Sequence, residues 1–280
     1  MFSIVIPTLN NFNYLKICLE SLKKNSTLDH EIIIHVNEGG DGTLEYVKKK
    51  NYIFTYSKKK LGLCTSTNLA AKKSTKEYIL YSHDDMYFLP NWDVILKNEL
   101  LKLSNNLFYL SGTMLGPGEH IDFNCGTTFS NFDEKKLLNE YKNYNWHDHQ
   151  GTHWAPHLIH KDLWNKISGF SEEFDPGFGS DPDLNMKLWK EGVRYFKGIN
   201  DFKVYHFGSI SLRKKSDLVA NRGSITFLKK WGISISFFKK NYLKSGEKFN
   251  GHLTQPIINL SYLLNLFYCK IKLLLYLLVK

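Results

Sequence analysis

The chain of 280 residues is poor in proline and cysteine. It has only 7 prolines, and we find no internal repeat or low-complexity tract, which argues against a disordered protein and a solenoid. Its 4 cysteines lie far apart, so their spacing suggests neither a zinc knuckle nor a disulfide framework. This cysteine content is typical of a reducing cytoplasm. No charged, apolar leader precedes the first strand pattern, and we therefore expect no signal peptide.

Acidic residues are in deficit as well. Lys and Arg number 37 against 27 Asp and Glu, which gives a net charge of +10. Such a charge favours an anionic partner, either a nucleotide, a nucleic acid or an acidic membrane surface. No aromatic-basic motif of a known nucleic-acid-binding module is present, so we predict no nucleic-acid partner. Hydrophobic residues make up 42% of the chain, enough for one large domain or for a domain with an appendage.

Strand and helix patterns alternate in the first third of the chain. Apolar runs predict strands at residues 2–6, 31–36, 52–56 and 78–81. Helical patterns lie between them, at residues 13–24, 43–50 and 65–73. This order predicts an α/β protein with a mostly parallel sheet flanked by helices. Ligands bind at the carboxyl ends of such strands, where three polar turns collect: residues 7–10, 38–42 and 84–85.

The most informative turn is residues 82–86, Ser-His-Asp-Asp-Met, which directly follows a predicted buried strand. Two adjacent carboxylates repel each other, so they need a cationic partner before both can ionise cheaply. A divalent metal that carries a diphosphate is such a partner, because hard cations bind carboxylate and phosphate oxygens together. The alternative is a solvated turn, in which aspartate is common.

Four stretches in this order resemble the inverting family 2 glycosyltransferases, which have the nucleotide-diphospho-sugar-binding GT-A fold. They are residues 3–10, residues 36–43, the block from residue 61 to Asp84-Asp85, and residues 169–184 with 204–208. Each stretch is weak by itself, and their common order makes the resemblance specific over about residues 1–212. It implies a GT-A domain at residues 1–220 and a C-terminal helical extension at residues 221–280.

The resemblance implies that the first turns hold the base and the ribose of a nucleotide-diphospho-sugar donor. It assigns substrate binding to residues of these turns and of the block that follows: Pro7, Thr8, Asn10, Asn37, Glu38, Gly62 and Asn68. Asn37 stands where the family usually has aspartate, with Glu38 beside it and one residue fewer in the loop. An amide still hydrogen-bonds a uracil or a ribose, but this departure leaves the nucleotide undetermined.

The resemblance also implies a divalent metal, Mn²⁺ or Mg²⁺, as cofactor. It makes Asp85 a metal ligand and places Asp84 at the ribose or at a metal-bound water. His83 stands where many relatives have another acid, and it is a third ligand, a diphosphate contact when protonated, or a side chain at the strand end. His206 follows a predicted strand, at a position often close to the metal in the family. It is either a metal ligand or a structural histidine.

The resemblance places the catalytic base at Asp181. Inverting transfer needs one carboxylate opposite the leaving diphosphate, which takes the proton as an acceptor hydroxyl attacks the anomeric carbon. The family usually has Glu-Asp here, and Ser180 replaces the glutamate. Asp183 opens a helical pattern, and we expect it to cap that helix at its N-terminus. The alternative is that both aspartates only cap the helix.

A histidine-rich stretch follows the middle of the chain, with His147, His149, His153, His157 and His160. The spacing of His153 and His157 allows a zinc interpretation, but Pro156 interrupts a regular helix and no cysteine lies nearby. In the family this region lines the acceptor pocket, so the resemblance makes Trp154 a candidate for stacking on the acceptor sugar. The remaining alternative is a structural loop.

Residues 257–279 form an apolar tail almost long enough to span a bilayer. Lys270 and Lys272 interrupt it, and charges at the centre of a spanning helix are costly. Apolar side chains at spacings of three and four define one face: Leu260, Leu264, Phe267, Ile271, Leu275 and Leu278. This pattern predicts an interfacial helix in peripheral contact with a membrane. The alternative is a helix packed on the domain or on a partner chain.

These patterns together predict a metal-dependent inverting glycosyltransferase, cytoplasmic and peripheral on the inner face of the membrane. Its acceptor is expected to be a hydroxyl of a surface glycan or of a lipid-linked glycan. One alternative is a non-catalytic GT-A module that binds sugar or nucleotide, which the Asn37 and Ser180 departures keep open. The other is a sugar-phosphate nucleotidyltransferase, which normally has a Gly-rich basic loop that residues 7–11 do not provide.

Overall fold

The computed structural model describes residues 1–208 and 217–278. Its strands, β1 to β10 in chain order, are Phe2–Leu9, Glu31–Asn37, Ile53–Ser57, Tyr78–Tyr81, Met86–Phe88, Phe108–Gly116, Ile121–Asp122, His149–Gln150, His157–His160 and Tyr195–His206. Its α-helices, α1 to α10, are Phe12–Asn25, Thr43–Lys49, Leu63–Ala71, Trp92–Leu100, Glu134–Glu140, Lys161–Lys166, Ser180–Lys190, Asp217–Trp231, Ile235–Phe238 and Leu260–Leu278. The elements predicted in the first third are therefore present, with ends shifted by up to three residues.

The strands form one mixed sheet with the main order β3-β2-β1-β4-β9-β6-β10-β5. Strand β1 lies between β2 and β4, and Ile4 is in register with Ile32 on one side and Leu80 on the other, both in parallel. Strand β9 is antiparallel to both β4 and β6, whereas β10 is parallel to β6. The predicted α/β class with flanking helices is confirmed. Antiparallel neighbours enter only beyond the first four strands.

The central strands are buried on both faces, which explains their continuous apolar runs. Phe2, Ile4, Val5 and Ile6 in β1 have at most 1% of their surface exposed. Helix α1 covers β5 and buries the side chains that define its apolar stripe, among them Leu15, Cys18, Leu19 and Leu22. Burial of such a stripe stabilises a helix that would be marginal alone.

Three polar turns meet at one edge of the sheet, because β1, β2 and β4 run in the same direction. Thr8 at the end of β1 donates a hydrogen bond to Asp84 in the turn after β4. Asn10 donates to Glu38 in the turn after β2. The backbone N–H of Phe207, just after β10, donates to the carbonyl of Asp85. The end of β10 therefore joins the same edge.

Helix α7 begins at Ser180, with Gly179 as its N-cap at a φ of +84°. The predicted capping role of Asp183 is wrong, because this residue lies inside the first turn. Its carboxylate accepts a hydrogen bond from Nε1 of Trp231 at 2.8 Å and lies 3.0 Å from Nζ of Lys230. The sequence pattern missed this pairing because both partners belong to α8. The domain boundary at residue 220 stays a prediction, and residues 279–280 of the tail lie outside the described residues.

Candidate active site

The two carboxylates of the acidic turn have different environments. Asp84 faces the first turn, where Oγ1 of Thr8 donates to Oδ2 at 2.5 Å and Nδ2 of Asn11 donates to Oδ1 at 3.0 Å. Asp85 is only 5% exposed, and its Oδ1 lies 3.4 Å from Nε2 of His206. The structure thus separates an aspartate held by the first turn from one that faces a histidine.

His83, Asp85 and His206 each place one ligand atom within 4.8 Å of the others. This is the one such group of three in the described ranges 1–208 and 217–278. The turn after β4 supplies two of its members and the end of β10 supplies the third. Two imidazoles and one carboxylate suit a divalent transition-metal ion better than Mg²⁺, which prefers oxygen ligands. The residues present therefore fit a divalent metal.

Glu119 contacts this group through His206. Its Oε1 lies 2.7 Å from Nδ1 of His206, on the ring side away from Asp85. A carboxylate in this position orients a ligand histidine and raises its basicity. Our sequence prediction did not include Glu119, which lies in the loop between β6 and β7 and belongs to no recognisable motif.

The charged side chains of this group shift one another's pKa. Burial alone would lower the pKa of His206, but the carboxylates of Asp85 and Glu119 raise it to about 10. Burial alone would raise the pKa of Asp85, but His206 lowers it to about 2. Burial lowers the pKa of His83 to about 4, so this ring is neutral and has a lone pair for a metal. The protonated form needed for a diphosphate contact is therefore disfavoured.

Asp84, the other aspartate of the turn, has a raised pKa. Burial and the negative charge of Asp85 raise the pKa of Asp84 to about 7. Two adjacent carboxylates cannot ionise independently, which is the repulsion expected from the sequence. Within residues 1–208 and 217–278, Asp85 has the imidazolium of His206 beside it, whereas Asp84 accepts hydrogen bonds from the neutral side chains of Thr8 and Asn11.

A cleft opens beside the acidic turn. Its walls include many of the predicted substrate-binding residues: Pro7, Thr8, Asn37, Gly62, His83 and Asp84. Gly62 is required by packing, because a Cβ there would lie 2.0 Å from the carboxyl carbon of Asp175. That carboxylate accepts hydrogen bonds from the backbone N–H of Cys64 at 2.8 Å and from Oγ1 of Thr65 at 2.6 Å. It thereby caps α3 at the wall of the cleft.

Several predicted substrate-binding side chains are already engaged within the protein. The amide of Asn37 accepts hydrogen bonds from Ser57 and Leu61 and donates one to Ser66. These hydrogen bonds stabilise the cleft wall. Asn10 and Glu38 bind each other at 2.8 Å in exposed positions.

The structure places Asn68 outside the residues that line the cleft. Its amide donates to the carbonyl of Phe170 at 2.8 Å and accepts from the N–H of the same residue at 2.9 Å. Both hydrogen-bonding atoms of its side chain thus serve to tie α3 to the loop after α6. This geometry gives Asn68 a structural role, and its contact with the substrate stays a prediction.

Asp181 lies in the first turn of α7, and its carboxylate forms no ion pair with the residues that the structure describes. Its Oδ1 is buried and has no hydrogen-bond partner within the described residues. Burial raises its pKa to about 7. Burial raises the pKa of Tyr81, the last residue of β4, and the negative charge of Asp181 raises it further. Asp181 therefore lies near the strand that leads to the acidic turn. A carboxylate that titrates near neutral pH is suited to accept a proton.

Aromatic and imidazole rings stack in the histidine-rich stretch. The ring centroid of Trp154 lies 4.1 Å from that of His120 and 5.0 Å from that of His149, which in turn stacks on Trp146 at 4.6 Å. Nε1 of Trp154 donates to the carbonyl of Gly112 at 3.0 Å. These histidines do not bring three metal-ligand atoms together in the part of the chain that the structure describes.

The family follows from comparison with known proteins. The family model for glycosyl transferase family 2 matches residues 3–160, from β1 through β9. This match covers more than half of the chain, and the chain belongs to glycosyl transferase family 2. The predicted family and the predicted class of enzyme, a glycosyltransferase, are confirmed.

Two curated relatives come from Pasteurella multocida. The chain is 25% identical to the hyaluronan synthase over 222 residues. It is 24% identical to the chondroitin synthase of strain Pm70 over 221 residues. Each alignment covers 76% of this chain and 21% of the relative. The chain thus spans about a fifth of the length of the curated relatives that it matches.

Solved structures of S. aureus TarS share the fold. TarS 1–349 superposes with a TM-score of 0.55 at 17% identity, over 82% of this chain and 73% of TarS 1–349. The complex with UDP superposes with a TM-score of 0.53 at 18% identity, over 82% and 71% of the two chains. The complex with UDP-GlcNAc has a TM-score of 0.53 at 17% identity, over 74% and 60%. These similarities confirm the GT-A fold.

Proposed function

We propose that this chain transfers a sugar from a uridine diphosphate sugar to a hydroxyl of a glycan or of a lipid-linked glycan, with inversion at the anomeric carbon. The observation that carries the proposal is the group of His83, Asp85 and His206 beside the cleft between the first turn and the acidic turn. The TarS complexes with UDP and UDP-GlcNAc support this choice of donor. The hyaluronan and chondroitin synthases support a glycan acceptor.

The proposal includes a divalent metal, Mn²⁺ in preference to Mg²⁺, held by His83, Asp85 and His206. When bound, such an ion neutralises negative charge on a departing diphosphate. Glu119 keeps the ring of His206 turned toward Asp85 through its 2.7 Å contact with Nδ1. Asp84, held by Thr8 and Asn11, is the candidate for a contact with the ribose.

Asp181 is the proposed base. Its carboxylate, with a pKa raised to about 7 by burial, accepts the proton of the acceptor hydroxyl as that oxygen attacks. Ser180, which replaces the usual glutamate, does not share this role, because its hydroxyl donates to the carbonyl of Gly177 at 2.6 Å. Trp154, half-buried in the ring stack, is the proposed platform for the acceptor sugar.

The proposal also places the protein in the cytoplasm, in peripheral contact with the inner face of a membrane. All four cysteines are buried and free, which suits a reducing compartment. Helix α10 is the one described helix long and apolar enough to cross a membrane by length and composition, and 6% of its most apolar window is buried.

A donor screen tests the function. The full chain is incubated with UDP-, GDP- and CDP-linked sugars, with and without MnCl₂, and the released nucleotide diphosphate is measured. We expect release from a UDP-sugar that depends on Mn²⁺. The Asp181→Asn variant is the matched control, and it should bind the same donor without turnover. Donor binding without turnover in the unchanged chain would establish the non-catalytic module instead, and the absence of any donor binding would refute the proposal.

A further inference from the structure

Helix α10 packs on the rest of the protein by one face only. The side chains of this face are Tyr262, Leu266, Cys269, Leu273 and Tyr276. Cys269 is 2% exposed, and its thiol lies within 3.6 Å of the hydroxyl of Ser234. The ring of Tyr262 lies 5.0 Å from that of Phe237. This face anchors the helix to α8 and α9.

The apolar face predicted from the sequence is the opposite one. At 100° per residue, its members point about half a turn away from Cys269: Leu260, Leu264, Phe267, Ile271, Leu275 and Leu278. These six side chains are 42–73% exposed. Leu263, Tyr268 and Leu274 extend the exposed face on both sides. Such a continuous apolar surface marks an interaction site on a soluble domain.

Polar residues border this face. Ser261, Asn265 and Lys272 follow one edge, and Lys270 lies on the other side of the helix. The two lysines fall near the middle of α10, so a spanning orientation would place both charges in the hydrocarbon core. A helix that lies in the membrane plane keeps both ammonium groups at the level of the headgroups.

Positive charge is concentrated in the same part of the chain. Residues 221–280 contain 10 Lys or Arg and 1 acidic residue, a net charge of +9. The first 220 residues therefore contribute only +1 of the total of +10. A surface of this sign attracts anionic lipids, and it repels a second copy of itself.

We propose that the outward face of α10 inserts into the interface of an anionic bilayer, with the helix axis in the plane of the membrane. The opposite face keeps the helix attached to the domain. The lysines of residues 221–280 contact the lipid headgroups, except Lys230, which pairs with Asp183. This inference rests on the membrane contact proposed above and is independent of the transferase activity. It assigns that contact to one surface and one orientation.

Vesicle sedimentation tests the proposal with the full chain. The vesicles contain phosphatidylcholine alone or phosphatidylcholine with phosphatidylglycerol. The test variant replaces Leu264 and Ile271 by Gln, and the matched control replaces Ser261 and Asn265 by Gln. All four positions are exposed, so neither variant disturbs the packed face, and circular dichroism should show equal helix content. Neither variant changes the net charge.

We expect binding to the anionic vesicles that weakens at high salt and on phosphatidylcholine alone. The Leu264→Gln, Ile271→Gln variant should bind about 100-fold more weakly, because two apolar anchors are lost. The Ser261→Gln, Asn265→Gln variant should bind like the unchanged chain. Equal binding by both variants would overturn the proposal. A dimer in light scattering that only the test variant dissociates, without vesicle binding, would assign the face to a second copy. Retention on cell membranes through alkaline carbonate extraction would show a spanning helix and overturn the in-plane orientation.

Discussion

Replacement of Asp181 by Asn should lower the rate of transfer and raise the stability of the fold. The substitution keeps the shape of the side chain and removes its negative charge. If this carboxylate is the base, transfer should fall by about 10²- to 10⁴-fold, the usual contribution of a positioned proton acceptor. The affinity for the donor should stay the same, because Asp181 lies outside the residues that line the cleft. Single-turnover transfer and donor titration by calorimetry measure the two quantities.

The same change should stabilise the fold above neutral pH. Burial shifts the pKa of Asp181 from 3.8 to about 7, and at 1.36 kcal/mol per unit the ionised form costs at most about 4 kcal/mol. An amide at this position also lacks a partner for the buried oxygen, so we expect a net gain of about 1–2 kcal/mol. Urea unfolding at pH 8 measures the difference.

The sign of the pH dependence follows from proton binding. Between pH 4 and pH 7 the folded protein keeps the proton of Asp181, whereas the unfolded chain releases it. This group therefore lowers the stability of the unchanged protein as the pH rises through that window. The advantage of Asp181→Asn should be absent below pH 4 and complete above pH 7. The transfer rate of the unchanged enzyme should fall as the pH drops below about 7.

Asp183→Asn is the matched control on the same helix. Asp183 is fully buried but pairs with Lys230 and Trp231, so its replacement should destabilise the fold by about 1.5–3 kcal/mol. The two substitutions lie two positions apart on one helix. If they change the stability in opposite directions, a common effect on the helix does not explain the result. Destabilisation by Asp181→Asn at pH 8, or transfer that survives it, would refute the reasoning about this carboxylate.

The remaining predictions concern the metal group and the cleft wall. Asp85→Asn should abolish Mn²⁺ binding in calorimetry, and unchanged binding would place the metal elsewhere. Glu119→Gln leaves the three ligands in place and should weaken Mn²⁺ binding by about 10- to 100-fold, because His206 loses its orienting carboxylate. An equal dissociation constant would deny Glu119 that role. Gly62→Ala should lower stability by about 1–3 kcal/mol, because its Cβ would collide with Asp175. Differential scanning calorimetry measures this loss, and an unchanged Tm would contradict it.

Local patterns were sufficient for the first four strands and for the turns that end them. Buried parallel strands read as apolar runs, and their polar ends mark the ligand edge, so the turn at residues 82–86 could be located before any contact was known. The outward face of α10 was also predictable, because the 3.6-residue period sorts Leu264 and Phe267 onto one side. These features depend on residues that are close together in the chain.

Contacts between distant segments required the tertiary structure. Glu119 meets His206 only because β6 and β10 are neighbours in the sheet. Asp183 resembled a helix cap until α8 brought Lys230 and Trp231 to it. Similarly, the tail pattern could not show that α10 packs by Cys269 while its predicted face stays exposed. Sequence periodicity determined which side chains share a strand, a turn or a helix face. The order of the strands and the docking of the helices decided which of those side chains meet, since that depends on packing across the whole chain.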